Sequence, residues 1–171
     1  VRSMNTKRNF LKFLFVLFDY LAAAFAWALF YVFRKEYIEE GSFEYNTTFY
    51  SGVALIPLFW LALYILQGTY HNVRRKYRIK VLGKTAAVTL IGVVVIFFVF
   101  LLDDAVDFHS QYYISLGALM ALHFIATLIP RMLLTSFLVR QVHKKKIGFD
   151  TLIIGGSEKA LEVYHEINDL P

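Results

Sequence analysis

The chain has 171 residues, of which 58% are hydrophobic and 18% aromatic, and its mean hydropathy is +0.53. Average soluble domains are only about 45–50% apolar even when Gly is counted, so a single soluble domain is excluded as the whole explanation. The absence of Cys excludes a disulfide framework and a thiolate metal site. The formal net charge of +5 lies in blocks beside apolar runs, which argues against a nucleic-acid partner and for a membrane topology signal.

Four apolar runs predict four transmembrane helices. A bilayer-spanning helix needs about 20 mainly apolar residues. A buried soluble helix would explain any one run, but four in so short a chain leave no polar scaffold to bury them. The first run also exceeds the roughly 7–15 residues of a signal-peptide core, so we expect it to stay uncleaved. The predicted spans are 10–33, 49–66, 85–102 and 112–139.

The segments between these runs alternate in charge. The N-terminal tail 1–9, the second loop 67–84 and the segment after the fourth run are basic, whereas the loops 34–48 and 103–111 are acidic on balance. Cytoplasmic loops carry the excess of Lys and Arg in membrane proteins. The pattern therefore predicts that both termini and the second loop are cytoplasmic.

Two ionisable residues interrupt the apolar runs, and we expect them to pair. Asp19 is nine residues into the first run and Arg131 is eight residues from the end of the fourth. At a rise of about 1.5 Å per residue both lie roughly 12–14 Å from the cytoplasmic boundary. Charges inside a bilayer are costly and usually face a partner. The alternative for Arg131 is a lipid phosphate reached by snorkelling. His123 is expected to be a buried hydrogen-bonding residue rather than a proton relay.

A basic segment at 74–84 precedes the third run. As a helix its basic and apolar positions partly segregate, which suits a segment lying along the cytoplasmic interface. One interpretation is a topology-setting loop that touches lipid headgroups, and the other is a docking surface for a polyprenyl phosphate or for the cytoplasmic domain. The candidate contacts to anionic lipid are Arg74, Arg75, Lys76, Arg78, Lys80 and Lys84.

The character of the chain changes after Lys146. A β-type run at 151–154 is followed by Gly155, Gly156 and Ser157, and then by 158–168 with helical spacing of apolar residues. Strand, glycine turn and helix open a Rossmann-like α/β domain. The expected fold is an all-α transmembrane four-helix bundle over 10–146, with the truncated start of such a domain at 147–171. The glycine turn is a candidate phosphate or nucleotide site, and the alternative is a tight turn without ligand.

The order of these parts resembles the N-terminal membrane region of the large polyprenyl-phosphate sugar-1-phosphate transferases. Leu66-Gln-Gly-Thr-Tyr70 followed by the basic segment is similar to a G-x-Y…R segment after the second helix of that family. Ile153-Ile154-Gly155-Gly156 is similar to its strand and turn, and Asp19 falls where the family tends to have Asp in its first helix.

This resemblance implies a function for a longer parent protein. Family members move a sugar-1-phosphate from a nucleotide sugar to undecaprenyl phosphate with Mg²⁺ and so initiate polysaccharide synthesis in the bacterial inner membrane. Their catalytic domain lies C-terminal to the parts matched here, so no catalytic residue, metal ligand or cofactor is assigned to this chain. We expect these residues alone to be inactive, to anchor the enzyme in the bilayer and to be candidates for homodimerisation.

Two alternatives remain at this point. Membrane-bound, NAD-dependent nucleotide-sugar dehydratases or epimerases resemble the same N-terminal arrangement. A non-enzymatic membrane scaffold of polysaccharide assembly would need only the bundle itself.

Overall fold

In the computed structural model, the residues described are 2–38, 45–70, 78–101, 109–143 and 158–169. They form five α-helices and no strand: α1 (Arg2–Phe33), α2 (Thr47–Leu66), α3 (Arg78–Ile96), α4 (His109–His143) and α5 (Glu158–Asp169). A π-helical turn extends α1 over Arg34–Ile38, and another extends α3 over Phe97–Leu101. The chain divides into two compact units, Val1–Val139 and Arg140–Pro171.

Helices α1 to α4 each contain a segment long and apolar enough to cross a membrane, which fits a multi-pass membrane protein. The candidate spans are Asn9–Ile38, Thr47–Leu66, Arg78–Val99 and Gln111–Gln141. All four predicted apolar runs therefore lie on helices wherever the structure describes them. The predicted strand at 151–154 and the turn at 155–157 lie outside the described residues, whereas the predicted helix at 158–168 corresponds to α5.

The helices extend beyond the predicted apolar runs into the polar residues that flank them. Helix α1 begins at Arg2 and α3 at Arg78, each well before its apolar run. Residues 78–84 are consequently the first two turns of α3 and are continuous with the span, rather than a separate interfacial segment. The reason is that the helical hydrogen-bond pattern continues past the apolar region, while a hydropathy pattern detects only the apolar part.

The outer surface of the bundle is apolar and its interior is rich in small and polar residues. Large side chains such as Phe25, Leu55 and Leu133 are more than half exposed, as expected for a surface in contact with lipid. In lipid no hydrophobic effect drives helices together, so close backbone approach and interhelical hydrogen bonds must do so. The buried small or hydroxyl-bearing residues of the interior are Ala22, Ala23, Ala26, Thr85, Thr89, Gly92, Ser115, Thr127 and Thr135.

Glycines permit the closest approaches between helices. A Cβ at Gly52 of α2 would overlap the indole of Trp27 on α1, and a Cβ at Gly92 of α3 would overlap the indole ring of Trp60 on α2. Trp60 is 1% exposed, so its ring is enclosed and cannot move aside without disturbing the core. The missing side chain at Gly92 thus sets the spacing between α2 and α3.

Aromatic side chains gather where α1 ends and α2 begins. Asn46 caps α2: its Oδ1 accepts hydrogen bonds from the backbone N–H of Phe49 at 2.8 Å and from the Tyr31 hydroxyl at 3.1 Å. The rings of Tyr31 and Tyr45 each pack against Phe49 at centroid distances of 5.4 and 5.8 Å. Tyr is enriched at membrane–water interfaces, so this group is suited to one boundary of the bilayer.

We predict that Gly92→Ala destabilises the bundle by about 1–3 kcal/mol, because the added methyl overlaps the enclosed Trp60 ring. The measurement is the thermal unfolding temperature in detergent micelles. Gly117→Ala on α4 is the matched control, since nothing lies within 4 Å of its Cβ position. Equal unfolding temperatures for the two variants would contradict the packing argument.

Candidate functional site: a buried polar cluster joining the four spans

One face of α4 carries a buried residue at every fourth position. Positions four apart in an α-helix lie one turn above another on nearly the same face. Except for Leu119, all residues of this row are polar or charged, so a polar stripe runs along the inside of a membrane-type helix. The row consists of Ser115, Leu119, His123, Thr127, Arg131 and Thr135.

The centre of the site is an ion pair between α1 and α4. The Nε of Arg131 donates to Oδ1 of Asp19 at 2.7 Å, and a terminal guanidinium nitrogen donates to Oδ2 at 2.8 Å. The two side chains are 2% and 1% exposed. This is the two-pronged geometry in which a planar guanidinium matches a carboxylate best. The structure thus brings together the two residues that the matched depths in the sequence suggested as partners.

One further helix and one turn contribute to the same pair. The other terminal nitrogen of Arg131 donates to Thr85 Oγ1 of α3 at 3.0 Å, and the hydroxyl of Tyr70, just beyond α2, donates to Asp19 Oδ2 at 2.7 Å. All three nitrogens of the guanidinium therefore have protein acceptors, and a lipid phosphate is not needed to satisfy it. Both formal charges are balanced within the cluster, and each of α1, α3 and α4 supplies one member.

An aromatic layer continues from the ion pair into α2. The Arg131 guanidinium carbon lies 3.9 Å from the centroid of the Tyr64 ring, a cation–π arrangement. The Tyr64 hydroxyl shares a 2.8 Å hydrogen bond with Nε2 of His123, and the His123 ring stacks on Trp60 at 3.5 Å with an interplanar angle of 15°. The hydroxyl of Thr127 donates to the His123 carbonyl at 2.7 Å. His123 is accordingly a buried member of a hydrogen-bonded core.

The position of Tyr70 depends on how α2 ends. The N–H of Thr69 donates to the carbonyl of Tyr64 at 3.0 Å, and the N–H of Gly68 donates to that of Ile65 at 2.9 Å. These two bonds form a Schellman motif, which requires a left-handed residue at the position of Gly68. Gly68 has a φ of 68°, a conformation that costs a residue with a Cβ about 1–2 kcal/mol. The motif reverses the chain so that Tyr70 returns to the bundle.

The Tyr70 hydroxyl is well placed to remain a donor. Burial raises the pKa of this phenol above its usual range, and the neighbouring Asp19 carboxylate raises it further. A phenol that stays protonated can donate to the carboxylate at any physiological pH. Tyr70 therefore supplies Asp19 with a third hydrogen bond without adding charge to the cluster.

The remaining predicted site residues are not part of this cluster. Arg78 and Lys80 are exposed on the first turn of α3. Lys84 is half-buried; its Nζ donates to the carbonyl of Gln67 at 3.5 Å, and the Gln67 amide donates to the carbonyl of Lys84 at 3.4 Å. The predicted contacts that lie outside the described residues are Arg74, Arg75, Lys76, Gly155, Gly156 and Ser157.

The arrangement has the chemistry of a structural core. Within the part of the chain that the structure describes, no group of three or more His, Asp or Glu could hold a metal ion. The buried side-chain atoms without a hydrogen-bond partner among the described residues are Trp27 Nε1, Thr89 Oγ1 and Thr135 Oγ1. The acidic and basic groups of the centre are instead bound to one another.

Sequence reasoning missed the roles of Tyr64, Tyr70 and Thr85. In the sequence Tyr70 belongs to a short segment with a glycine, and nothing in that segment indicates that the chain turns back. Thr85 had a usable signal, because Thr85, Thr89 and Gly92 place small or polar residues on one face of an apolar helix. Comparison with protein-family models, curated proteins and solved structures finds no match for this chain.

We predict that Asp19→Arg and Arg131→Asp each strongly reduce the folded fraction, because removing one partner of a buried pair costs about 3–5 kcal/mol. The double exchange should recover part of that loss, since opposite charges again face each other. Recovery should be incomplete because Thr85 and Tyr70 are placed for the native arrangement. The measurement is the yield of monodisperse protein in detergent.

Lys159→Asp serves as the control, since it reverses an exposed charge in the second unit. Its yield should equal that of the wild type. A double exchange that yields no more folded protein than the worse single variant would show that the charges are not what joins α1 to α4.

We also predict that Gly68→Ala lowers the free energy of unfolding by about 1–2 kcal/mol, because Ala is strained at a positive φ. Gly68→Asn should lose less, since Asn tolerates this conformation. Gly83→Ala, at an open position of α3, is the matched control. The free energy of unfolding is measured in detergent by circular dichroism. A loss for Gly68→Ala no larger than that for Gly83→Ala would contradict the explanation by backbone strain.

Proposed function

We propose that this chain is the membrane-anchoring region of a polyprenyl-phosphate sugar-1-phosphate transferase that initiates polysaccharide synthesis. The observation that carries the anchoring role is the buried cluster. In it Asp19 and Arg131 bond to each other, Arg131 also bonds to Thr85, and Asp19 also bonds to Tyr70. Ionisable groups on a transport pathway must exchange partners with a substrate or ion. A pair formed between α1 and α4 and bonded in addition by α3 and by the turn after α2 suits a fixed scaffold better than a pathway.

The charge distribution supports a particular orientation. Basic residues precede α1, lie between α2 and α3 and follow the fourth apolar run, and acidic residues predominate in the other two loops. The positive-inside tendency then puts both termini and the α2–α3 connection in the cytoplasm. This orientation leaves the segment after α4 on the side where nucleotide sugars are found, and the proposed location is the bacterial cytoplasmic membrane.

The transferase assignment itself rests on the resemblance in the order of parts. The sequence contains, in the order expected for that family, four apolar spans, the Leu66–Tyr70 segment with its following basic residues, and Gly155-Gly156-Ser157 before α5. Tyr70 and Asp19 both belong to the resembling features, and Tyr70 donates a hydrogen bond to Asp19. One interaction is therefore a physical reason for the two residues to occur together. The proposal includes a catalytic domain, with Mg²⁺, outside these residues.

Anionic lipid is the proposed partner of the exposed basic residues Arg78 and Lys80. Each basic residue near an anionic leaflet contributes about 1 kcal/mol to attraction. The proposed reaction adds two further partners of the parent protein, undecaprenyl phosphate and a nucleotide sugar. A homodimer is a candidate assembly in the membrane.

The test is an assay of the intact gene product in membrane vesicles with a radiolabelled nucleotide sugar, undecaprenyl phosphate and Mg²⁺. Transfer breaks the diphosphate bond of the nucleotide sugar, joins the sugar-1-phosphate to the lipid phosphate, and releases a nucleoside monophosphate. We expect label in the lipid fraction that depends on undecaprenyl phosphate. Residues 1–171 alone should give none.

The same vesicles separate the alternatives. NAD-dependent conversion of the nucleotide sugar, without label in lipid, would assign the parent to the dehydratases or epimerases. No turnover across a panel of nucleotide sugars, with normal membrane insertion, would favour a scaffold and contradict the transferase proposal.

A further inference from the structure

We propose that the Gln67–Tyr70 turn is a plug that closes one end of the bundle and keeps water away from the buried ion pair. This end, called the α2–α3 end, is the one where α2 stops at Leu66 and α3 starts at Arg78. The inference does not depend on the proposed enzymatic function. It rests on the contacts of four consecutive residues that belong to no candidate span.

The turn is unusually enclosed for a segment between two spans. Thr69 is 8% exposed and Tyr70 is 9% exposed, although both lie beyond the last helical residue of α2. Irregular backbone at the edge of a membrane domain is tolerated when it is buried in protein. A connecting turn that only reached the next helix would expose these residues to headgroups and water.

Three helices hold the plug in place. The Schellman bonds fasten it to α2, and the reciprocal bonds between Gln67 and Lys84 fasten it to α3. The Tyr70 hydroxyl fastens it to Asp19 of α1 at 2.7 Å. Because α4 is joined to the same carboxylate through Arg131, the tip of the plug sits where all four helices meet.

The interior behind Tyr70 is one that water would enter. It contains the two charges and, one helical turn further along α3 from Thr85, the hydroxyl of Thr89, which has no partner among the described residues. Hydrogen bonds and ion pairs are stronger in a low-dielectric surrounding than in water. Exclusion of water by the Tyr70 ring therefore strengthens the Asp19–Arg131 contact, whose carboxylate also accepts a hydrogen bond from the Tyr70 hydroxyl.

The plug can open without dismantling the bundle. The Gln67–Lys84 bonds are long, at 3.4 and 3.5 Å, and neither of the two hydrogen bonds from Arg131 to Asp19 involves Tyr70. Local openings of this kind require less free energy than global unfolding. Removal of the aromatic ring should thus expose the centre of the bundle to water while α1 to α4 stay assembled.

The chain contains no Cys, so a single introduced thiol reports access without a background reaction. Thr89→Cys replaces the side chain with one of similar volume and removes no hydrogen bond to a described residue. The experiment measures its rate of modification by a membrane-impermeant methanethiosulfonate in vesicles that contain residues 1–171. The reagent is applied from the side on which Lys80→Cys, an exposed site on the first turn of α3, reacts rapidly.

We expect Thr89→Cys to react slowly in the native background and at least about tenfold faster with Tyr70→Ala, a factor that corresponds to about 1.4 kcal/mol of easier opening. Tyr70→Phe retains the ring and should stay closer to the native rate. Ala26→Cys, 0% exposed and seven residues beyond Asp19 on α1, should remain slow in all backgrounds.

An unchanged rate at Thr89→Cys in the Tyr70→Ala background would overturn the proposal, because the end would then be closed without the ring. An equal acceleration at Ala26→Cys would also overturn it, since Tyr70 would then hold the whole bundle together. A Tyr70→Phe rate as high as that of Tyr70→Ala would overturn it as well, because the ring would not be what excludes water.

Discussion

The ion pair between Asp19 and Arg131 is the interaction on which the other polar contacts of the bundle depend. Moving either charge out of water costs several kcal/mol even after relaxation, and only good geometry with additional hydrogen bonds offsets this. The two-pronged contact, the Thr85 hydroxyl and the Tyr70 hydroxyl supply that geometry. Because these groups come from three helices and one turn, the pair is satisfied in only one arrangement of the four spans.

The remainder of the interior adapts to this arrangement. The Tyr64 ring covers the guanidinium and connects it through His123 to Trp60. Trp60 fits because Gly92 leaves room for its ring. In a membrane domain the lipid-facing surface is apolar and gives helices little reason to associate. Specific polar contacts and the absence of a side chain at close approaches decide which helix faces which.

This organisation favours a role as a fixed support. Charged residues that conduct ions or protons need access to water or to exchangeable partners. Asp19 and Arg131 have neither among the described residues, since their hydrogen-bonding groups are occupied and their side chains are enclosed. Such a fixed support is consistent with the proposed role as a membrane anchor.

The sequence by itself determined the four helical spans, because the length of an apolar run is a local property set by the thickness of the bilayer. It also pointed to Asp19 and Arg131 as partners, since depth along a span follows from counting residues. Tertiary structure decided the contacts of Tyr70 and Trp60. They depend on a chain reversal at Gly68 and on a close approach at Gly92, and both bring together residues that are far apart in the chain. Such contacts arise from the three-dimensional path of the backbone, which no local pattern of hydrophobicity or charge encodes.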